Sequence, residues 1–233
     1  MNITENIRMI RAEIQAAAIS AGRDPSKIML LAATKMNDMD RVQQAIRAGV
    51  DICGENRVQE MLEKNAQGAY SGCPLHFIGH LQKNKVRQVV GLAELIHGVH
   101  DLELLEVIQK ETKKRGIVQD VLLEVNIAGE ESKSGFEPEK IQDALAFASA
   151  FDSIRVRGLM AIPPICENSA ENRPYFARME QLFVDNSGKK YDNVRMDFLS
   201  MGMSGDYREA VAFGANILRL GSAIFGPRVY TQH

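Results

Sequence analysis

The stretch IMLLAATK, residues 28–35, is a continuous apolar run that ends in a threonine and a lysine. An apolar run of this kind is typical of a strand that is buried on both faces, as in a parallel sheet covered by helices. A helical pattern follows at residues 39–48, MDRVQQAIRA, and stops at Gly49, a residue type that commonly ends helices. The stretch therefore predicts the first strand and helix of an alternating α/β fold.

The same alternation continues along the rest of the chain. The short apolar runs that we interpret as strands lie at residues 28–34, 51–54, 75–79, 95–99, 121–126, 156–161, 197–201 and 217–221. The helical patterns lie at residues 3–21, 39–48, 56–67, 101–115, 137–150, 170–186 and 205–213. This order predicts a single (β/α)₈ TIM barrel with an extra N-terminal helix, and an open doubly wound sheet is the alternative.

Several of these helices carry capping signals. Asp101 precedes a helix that ends in basic residues, which complement the helix dipole, and Pro138 lies near the start of another helix. Asn56 and Gln59 have the spacing of a capping box. We therefore expect helices to begin close to these residues.

Length and composition limit the class of protein. We expect the 233 residues to form one domain, 1–233, which is a typical size for an α/β barrel. The net charge of −2 gives no electrostatic reason to expect nucleic acid or an anionic membrane surface as a partner. The N-terminus carries acidic residues and lacks the apolar core of a signal peptide, and the three cysteines form no CxxC pair. We expect a cytoplasmic protein with reduced thiols and no metal site.

Lys35 is the first candidate for chemistry. Active sites of α/β barrels lie at the carboxyl ends of the strands, and Lys35 directly follows the first strand. Partial desolvation in a barrel mouth lowers the pKa of an amine and frees it to attack a carbonyl. A solvated lysine that opens a loop would occupy the same place in the sequence, so its position alone does not separate the two roles.

A second group of candidates follows strands 7 and 8, where barrels often bind phosphate. Residues 200–206 read SMGMSGD and residues 219–226 read RLGSAIFG. Glycines let the backbone approach a ligand, while Ser204, Gly221 and Ser222 offer hydroxyl or N–H groups to an anion. Neither segment matches a GxGxxG or Walker A motif, so nucleotide binding has little support. Each segment alone is equally consistent with a glycine-rich turn that binds nothing.

Taken together, these features indicate one ligand. Strands 1 and 8 are neighbours in a closed barrel, so Lys35 faces the phosphate cradle, and a phosphorylated aldehyde such as pyridoxal phosphate fits between them. Arg219, if it points inward, meets the pyridine nitrogen. Because an arginine stays protonated, it would hold that nitrogen unprotonated. The alternative role for Arg219 is a structural ion pair.

The sequence resembles the pyridoxal phosphate homeostasis protein family, whose fold is similar to the barrel domain of alanine racemase. The matching segments cover most of the chain in the family's order and are AATK at 32–35, GENRVQE at 54–60, HFIGHLQKNK at 76–85, LLEVNIAGEESKSGF at 122–136, RGLMAI at 157–162, LSMGMSGDYREAV at 199–211 and RLGSAIFG at 219–226. Many members have threonine where this chain has Ser222, and both residues carry a hydroxyl.

The resemblance implies a cofactor, pyridoxal phosphate, held as a Schiff base on Lys35. It implies phosphate contacts by Ser204, Gly221 and Ser222, and it makes Arg219 the partner of the pyridine nitrogen. The full set of cofactor-binding residues that it implies is Lys35, Asn56, Met201, Gly202, Met203, Ser204, Arg219, Gly221 and Ser222. The roles of the GHLQ segment, 79–82, and the SKSG segment, 132–135, stay open, with Lys133 a candidate to accept a cofactor or partner.

Two functions of different kinds follow. The resemblance implies a non-catalytic protein that buffers pyridoxal phosphate or delivers it to apoenzymes, and we separately expect a monomer. The alternative is an amino-acid racemase, which needs two bases on opposite faces of the α-carbon. In alanine racemase the second base is a tyrosine, supplied by an additional β domain, and because few residues follow strand 8 in this sequence we expect that base to be missing. A class I aldolase, which also uses a barrel lysine, is a third interpretation.

Overall fold

Eight parallel strands close into a barrel in the order of the sequence. The computed structural model describes residues 2–188 and 191–227. Leu31 on the first strand lies opposite Arg219 on the last, and this pairing closes the sheet. The closure confirms the predicted TIM barrel and excludes the open sheet. The strands are β1 (Met29–Ala33), β2 (Ile52–Glu55), β3 (Leu75–Phe77), β4 (Leu95–Val99), β5 (Gln119–Val125), β6 (Ile154–Ala161), β7 (Val194–Ser200) and β8 (Ile217–Leu220).

Helices separate the strands, and one precedes β1 as predicted. They are α1 (Ile3–Ser20), α2 (Met39–Arg47), α3 (Val58–Ala66), α4 (Val86–Val89), α5 (Leu102–Arg115), α6 (Ile141–Ser149), α7 (Arg173–Ser187), α8 (Tyr207–Ala212) and α9 (Ser222–Phe225). The sequence patterns did not predict α4 and α9, because a helix of four residues is too short to show a helical period.

Two apolar clusters stabilise the fold. The larger lies between the barrel and the helices, and includes the buried face of α1 at Ile3, Ile7, Ile10 and Ile14. The smaller fills the barrel interior and consists of alternate strand residues, such as Leu31 on β1. Because side chains alternate along a strand, every second position points inward. This alternation directs the residue after each strand end either into the barrel mouth or away from it.

Three strands begin earlier than predicted, because a charged residue near the start of each one, Asp120, Arg155 or Arg195, interrupts the apolar pattern. β5, β6 and β7 start two or three residues before the apolar runs at 121–126, 156–161 and 197–201. Arg157 bridges Asp120 and Asp197 at 2.5 and 2.6 Å, and Arg155 also pairs with Asp120. Ion pairs across three neighbouring strands replace apolar packing at this end of the barrel. β3 is shorter than predicted and ends at Phe77 rather than at residue 79.

The capping predictions have mixed outcomes. Asp101 caps α5, since its Oδ1 accepts the Leu104 N–H at 2.6 Å. Pro138 begins a short 3₁₀ turn that leads into α6. The capping box of Asn56 and Gln59 is wrong: α3 begins at Val58, its N-cap is Arg57, and no side chain caps it. Asn56 precedes the cap and lines a cavity instead.

The predicted single domain also includes residues 1, 189–190 and 228–233, which lie outside the described residues. None of the helices in the described ranges combines the length and the apolar character that crossing a membrane requires.

Candidate functional site

A cavity of about 440 Å³ opens at the carboxyl ends of the strands. Its volume lies within the ~300–1,000 Å³ that is typical of small-molecule sites. Predicted residues from β1, the β2–α3 connection, β8 and the loops after β7 and β8 meet on its wall. These residues are Lys35, Asn56, Met203, Ser204, Arg219, Gly221 and Ser222.

Lys35 reaches this cavity because β1 delivers it to the mouth of the barrel. The Thr34 N–H donates to the Gly54 carbonyl at 2.9 Å, so pairing with β2 continues beyond the last residue of β1. Lys35 also lines an adjoining cavity of about 420 Å³, together with Arg41 and Ser222. Its side chain therefore stands between the barrel mouth and the turn after β8.

The loops after β7 and β8 are joined through Ser204. Its Oγ accepts the N–H groups of Gly221 and Ala223, each at 3.2 Å. The Gly202 carbonyl accepts the Arg219 N–H at 3.0 Å, which ties the same loop to β8. Hydroxyl and backbone N–H groups are thereby gathered on one wall of the cavity, the donor set that an anion such as phosphate requires.

Met201 and Gly202 do not belong to that wall. Met201 is fully buried in the cluster between the barrel and the helices. A Cβ on Gly202 would come within 2.6 Å of the Ala210 Cβ, and the backbone there has a φ of +91°. Both residues shape the turn that presents Met203 and Ser204 to the cavity.

Arg219 forms the buried floor of the cavity. Its guanidinium donates to the Ser200 Oγ at 2.6 Å and to the Ala161 carbonyl at 2.9 Å. Burial lowers the pKa of Arg219 to about 10, against the opposing charges of Glu124 and Asp206. The side chain is therefore still a cation at neutral pH, and its remaining N–H groups can serve a ligand.

A chain of hydrogen bonds, not predicted from the sequence, continues from Arg219 through the barrel interior. Ser200 Oγ lies 2.9 Å from His97 Nδ1, and His97 Nε2 lies 3.0 Å from His76 Nδ1. Burial lowers the pKa of His76 to about 4, and burial together with the charges of His76 and Arg219 lowers that of His97 well below its usual value. A neutral imidazole donates a hydrogen bond from one ring nitrogen and accepts one at the other. This series of hydrogen bonds therefore fixes the Ser200 hydroxyl under Arg219.

The polar residues of this series could have been identified from their positions within the strands. His76, His97 and Ser200 occupy inward positions on β3, β4 and β7, where an apolar side chain is usual. His80, four residues after His76, takes no part in this series of hydrogen bonds. It lies outside β3, where it stacks on His100 with ring centroids 4.2 Å apart.

The residues around the cavity fit pyridoxal phosphate. Asn56 Oδ1 is buried and has no hydrogen-bond partner in the described ranges, which leaves an acceptor ready for a ligand at the cavity wall. The site also offers an amine for an aldehyde, donors for a phosphate and a cation for a ring nitrogen. Glu124, whose pKa burial raises to about 7, lines a connected cleft beside Asn56.

Comparison with known proteins places the chain among its relatives. The family model for the alanine racemase N-terminal domain matches residues 2–229. The pyridoxal phosphate homeostasis protein of Aquifex aeolicus is 40% identical over 230 residues, 99% of this chain and 100% of the relative. The protein of the same name from Pseudomonas aeruginosa is 40% identical over 232 residues, 98% of this chain and 96% of the relative.

Solved structures agree with this placement. PipY of Synechococcus elongatus, solved with pyridoxal phosphate bound, is 29% identical with a TM-score of 0.82, and the match covers 96% of this chain and 100% of PipY. An alanine racemase of Clostridium difficile, 14% identical with a TM-score of 0.72, matches 96% of this chain over 57% of its own length and shares the fold. The chain belongs to the alanine racemase N-terminal domain family and, within it, to the pyridoxal phosphate homeostasis proteins.

Proposed function

We propose that this protein binds pyridoxal phosphate at the barrel mouth, holds it as a Schiff base on Lys35, and buffers it or delivers it to apoenzymes. The observation that carries the proposal is the meeting of Lys35, Arg219 and the Ser204 loop on one cavity of about 440 Å³. The cofactor bound to PipY, at 29% identity over nearly the whole chain, supports the same ligand here.

Each part of the cavity has a distinct task in this proposal. Bound pyridoxal phosphate supplies an aldehyde carbon that a lysine amine can attack. The Lys35 amine provides the point of attachment, and Ser204 and Ser222 hold the phosphate through hydroxyl and N–H donors, while the Gly221 N–H orients the Ser204 hydroxyl to which it donates. Arg219 donates to the ring nitrogen and, because it remains a cation, keeps a proton off that atom.

The surroundings of the cavity favour a carrier over a racemase. Racemisation needs a second base opposite the lysine, and no described residue lining the cavity is a tyrosine or histidine. Burial and the nearby Glu171 raise the pKa of the Cys166 thiol, so that it stays protonated at neutral pH. The Asp206 carboxylate already accepts the Met203 N–H at 2.7 Å and the Asn172 amide at 2.8 Å.

An absorbance spectrum before and after borohydride reduction tests the attachment. We expect a band at the edge of the visible range that reduction bleaches, and a mass adduct that peptide mapping places on Lys35. Lys35→Ala should lose both, whereas Lys110→Ala, which removes an exposed lysine on α5, should keep them. Absence of any adduct on the wild-type protein with added pyridoxal phosphate would overturn the proposal and favour the aldolase interpretation.

A second measurement separates carrier from enzyme. The loaded protein is incubated with alanine and other amino acids, and the enantiomers are resolved by chromatography. In parallel, the loaded protein is mixed with a pyridoxal phosphate-dependent apoenzyme whose activity reports transfer. We expect transfer without a change of enantiomer ratio; steady turnover of an amino acid would instead support the racemase.

A further inference from the structure

The peptide groups on either side of Lys35 form hydrogen bonds with two members of a cluster of three charged side chains. These are Glu55 at the end of β2, and Glu60 and Lys64 on α3, which we name the Lys64 triad. Lys64 Nζ lies 2.6 Å from Glu55 Oε1 and 3.2 Å from Glu60 Oε2. The triad is buried or half-buried, with Glu55 fully enclosed and Lys64 only 8% exposed.

The triad holds the residue before Lys35 through two contacts. Lys64 Nζ donates to the Thr34 carbonyl at 2.8 Å, and the Thr34 hydroxyl donates to Glu55 Oε1, also at 2.8 Å. Glu55 Oε2 accepts the Asn56 N–H at 3.1 Å. The same carboxylate therefore also holds the peptide N–H of Asn56, which lines the cavity.

The residue after Lys35 is held by the third member. Glu60 Oε2 accepts the Met36 N–H at 2.8 Å. Met36 has a φ of +61°, the only positive φ among the described non-glycine residues, and a long side chain seldom adopts this conformation. Burial opposes ionisation of Glu60, but the hydrogen bonds from Met36 and Lys64 outweigh it and lower the pKa of the carboxyl.

These contacts fix the backbone on both sides of Lys35, and the backbone sets the direction of its Cα–Cβ bond. Buried charges are costly to a fold, and a hydrophobic group of similar volume would join α3 to the barrel as well. We propose that Glu55, Glu60 and Lys64 are positioning residues that aim the Lys35 amine at the aldehyde of the ligand. This inference rests on the proposed function, because it assigns the triad to the covalent step.

Comparing the affinities for two ligands distinguishes a positioning role of the Lys64 triad from a purely structural one. Pyridoxamine 5′-phosphate has the ring and phosphate of pyridoxal phosphate but no aldehyde, so its binding reports the cavity alone. Glu60→Ala removes the acceptor of the Met36 N–H, and Glu60→Gln keeps an oxygen there. Glu63→Ala is the matched control, because Glu63 is exposed on the same helix and its side chain accepts only from Gln59 among the described hydrogen bonds.

We expect Glu60→Ala to weaken the apparent affinity for pyridoxal phosphate by about tenfold, as for loss of a hydrogen bond to a charged group. Trapping on Lys35 by borohydride should slow to a similar degree, and visible circular dichroism of the bound chromophore should decrease. Affinity for pyridoxamine 5′-phosphate should stay within about twofold. Glu60→Gln should recover most of the loss, and Glu63→Ala should match the wild type.

An equal loss of affinity for both ligands in Glu60→Ala would overturn the inference, as would an unchanged affinity for pyridoxal phosphate. Lys64→Met extends the test, and we expect the same selective loss. Because it leaves Glu55 buried without its cation, a fold check by urea unfolding accompanies it, and the Glu60 variants decide the matter if it does not fold. Failure of the proposed function would show differently, as absence of the Lys35 adduct in the wild-type protein.

Discussion

Arg219 on β8 and Ser200 on β7 are joined inside the barrel, with 2.6 Å between Nη1 and Oγ. The serine lies in turn 2.9 Å from His97 Nδ1 on β4, on the far side of the interior. One hydroxyl thus links the buried cation to a neutral imidazole. The contact matters for the cavity, because it fixes the orientation of the guanidinium that forms the cavity floor.

Removing this hydroxyl should lower stability. We expect Ser200→Ala to reduce the free energy of unfolding by about 1–3 kcal/mol, because Arg219 and His97 lose a partner that water cannot replace. Urea unfolding measures the change. Ser187→Ala is the control, since the only partner of the exposed Ser187 hydroxyl within residues 2–188 and 191–227 is the Val184 carbonyl in its own helix. Equal stability of the two variants would show that the buried hydroxyl is dispensable.

Glu124 should make stability depend on pH. Burial raises its pKa to about 7 in the folded state, from an ordinary value of 4.5. The folded protein therefore binds more protons than the unfolded chain between these values, and Glu124 lowers the free energy of unfolding as pH rises through this window, by up to ~3 kcal/mol.

Glu124→Gln removes that titration. We expect the variant to gain stability relative to the wild type between pH 4.5 and pH 7, and to keep a constant advantage above pH 7. Urea unfolding of both proteins across pH 4–8 checks the difference, which also cancels the contributions of His76 and His97. A difference that does not change with pH would contradict the shift.

Gly79 should tolerate no side chain. A Cβ there would lie 2.0 Å from the Asn56 carbonyl oxygen, so the backbone after β2 would have to move. We expect Gly79→Ala to destabilise the protein by roughly 2–4 kcal/mol and to weaken ligand binding, because Asn56 lines the cavity. Gly188→Ala should leave both unchanged, since no atom of the described residues lies within 4 Å of a Cβ there. Thermal unfolding and a ligand titration report the two effects.

Ser204 should act on the phosphate and not on the ring. We expect Ser204→Ala to weaken binding of pyridoxal phosphate by about tenfold, since one donor to an anion is lost and the Gly221 and Ala223 N–H groups lose their acceptor. Pyridoxal, which lacks the phosphate, should bind both proteins equally. Absorbance titration with the two ligands measures this, and a parallel loss for pyridoxal would argue against phosphate contact.

The barrel could be predicted because its strands are short apolar runs in regular alternation with helices. The run at 28–34 is buried on both faces, and such runs are recognisable without knowledge of any partner. The early starts of β5, β6 and β7 were missed because Asp120, Arg155 and Arg195 interrupt the apolar pattern there, and Asp120 and Arg155 pair with each other only across the folded strands. The bridge of Arg157 to Asp120 and Asp197 exists only when three strands from distant parts of the chain lie side by side.

Part of the candidate site could likewise be predicted from the sequence, and part could not. Lys35, Ser204, Gly221 and Ser222 could be placed near one another from the sequence, because barrel closure brings the ends of strands 1, 7 and 8 together. The role of Asn56 in a capping box was wrong, because whether a polar residue caps a helix or faces a cavity depends on where α3 begins against β2.

The sequence by itself determined the order of strands and helices, and with it the end of the barrel where chemistry lies, because hydrophobic periodicity and strand ends are local properties. Only the tertiary structure decided which polar residues are buried together. The Lys64 triad and the chain from Arg219 to His76 each join side chains from separate elements. Their hydrogen bonds form only after packing has excluded water, which leaves no periodic signal in the sequence.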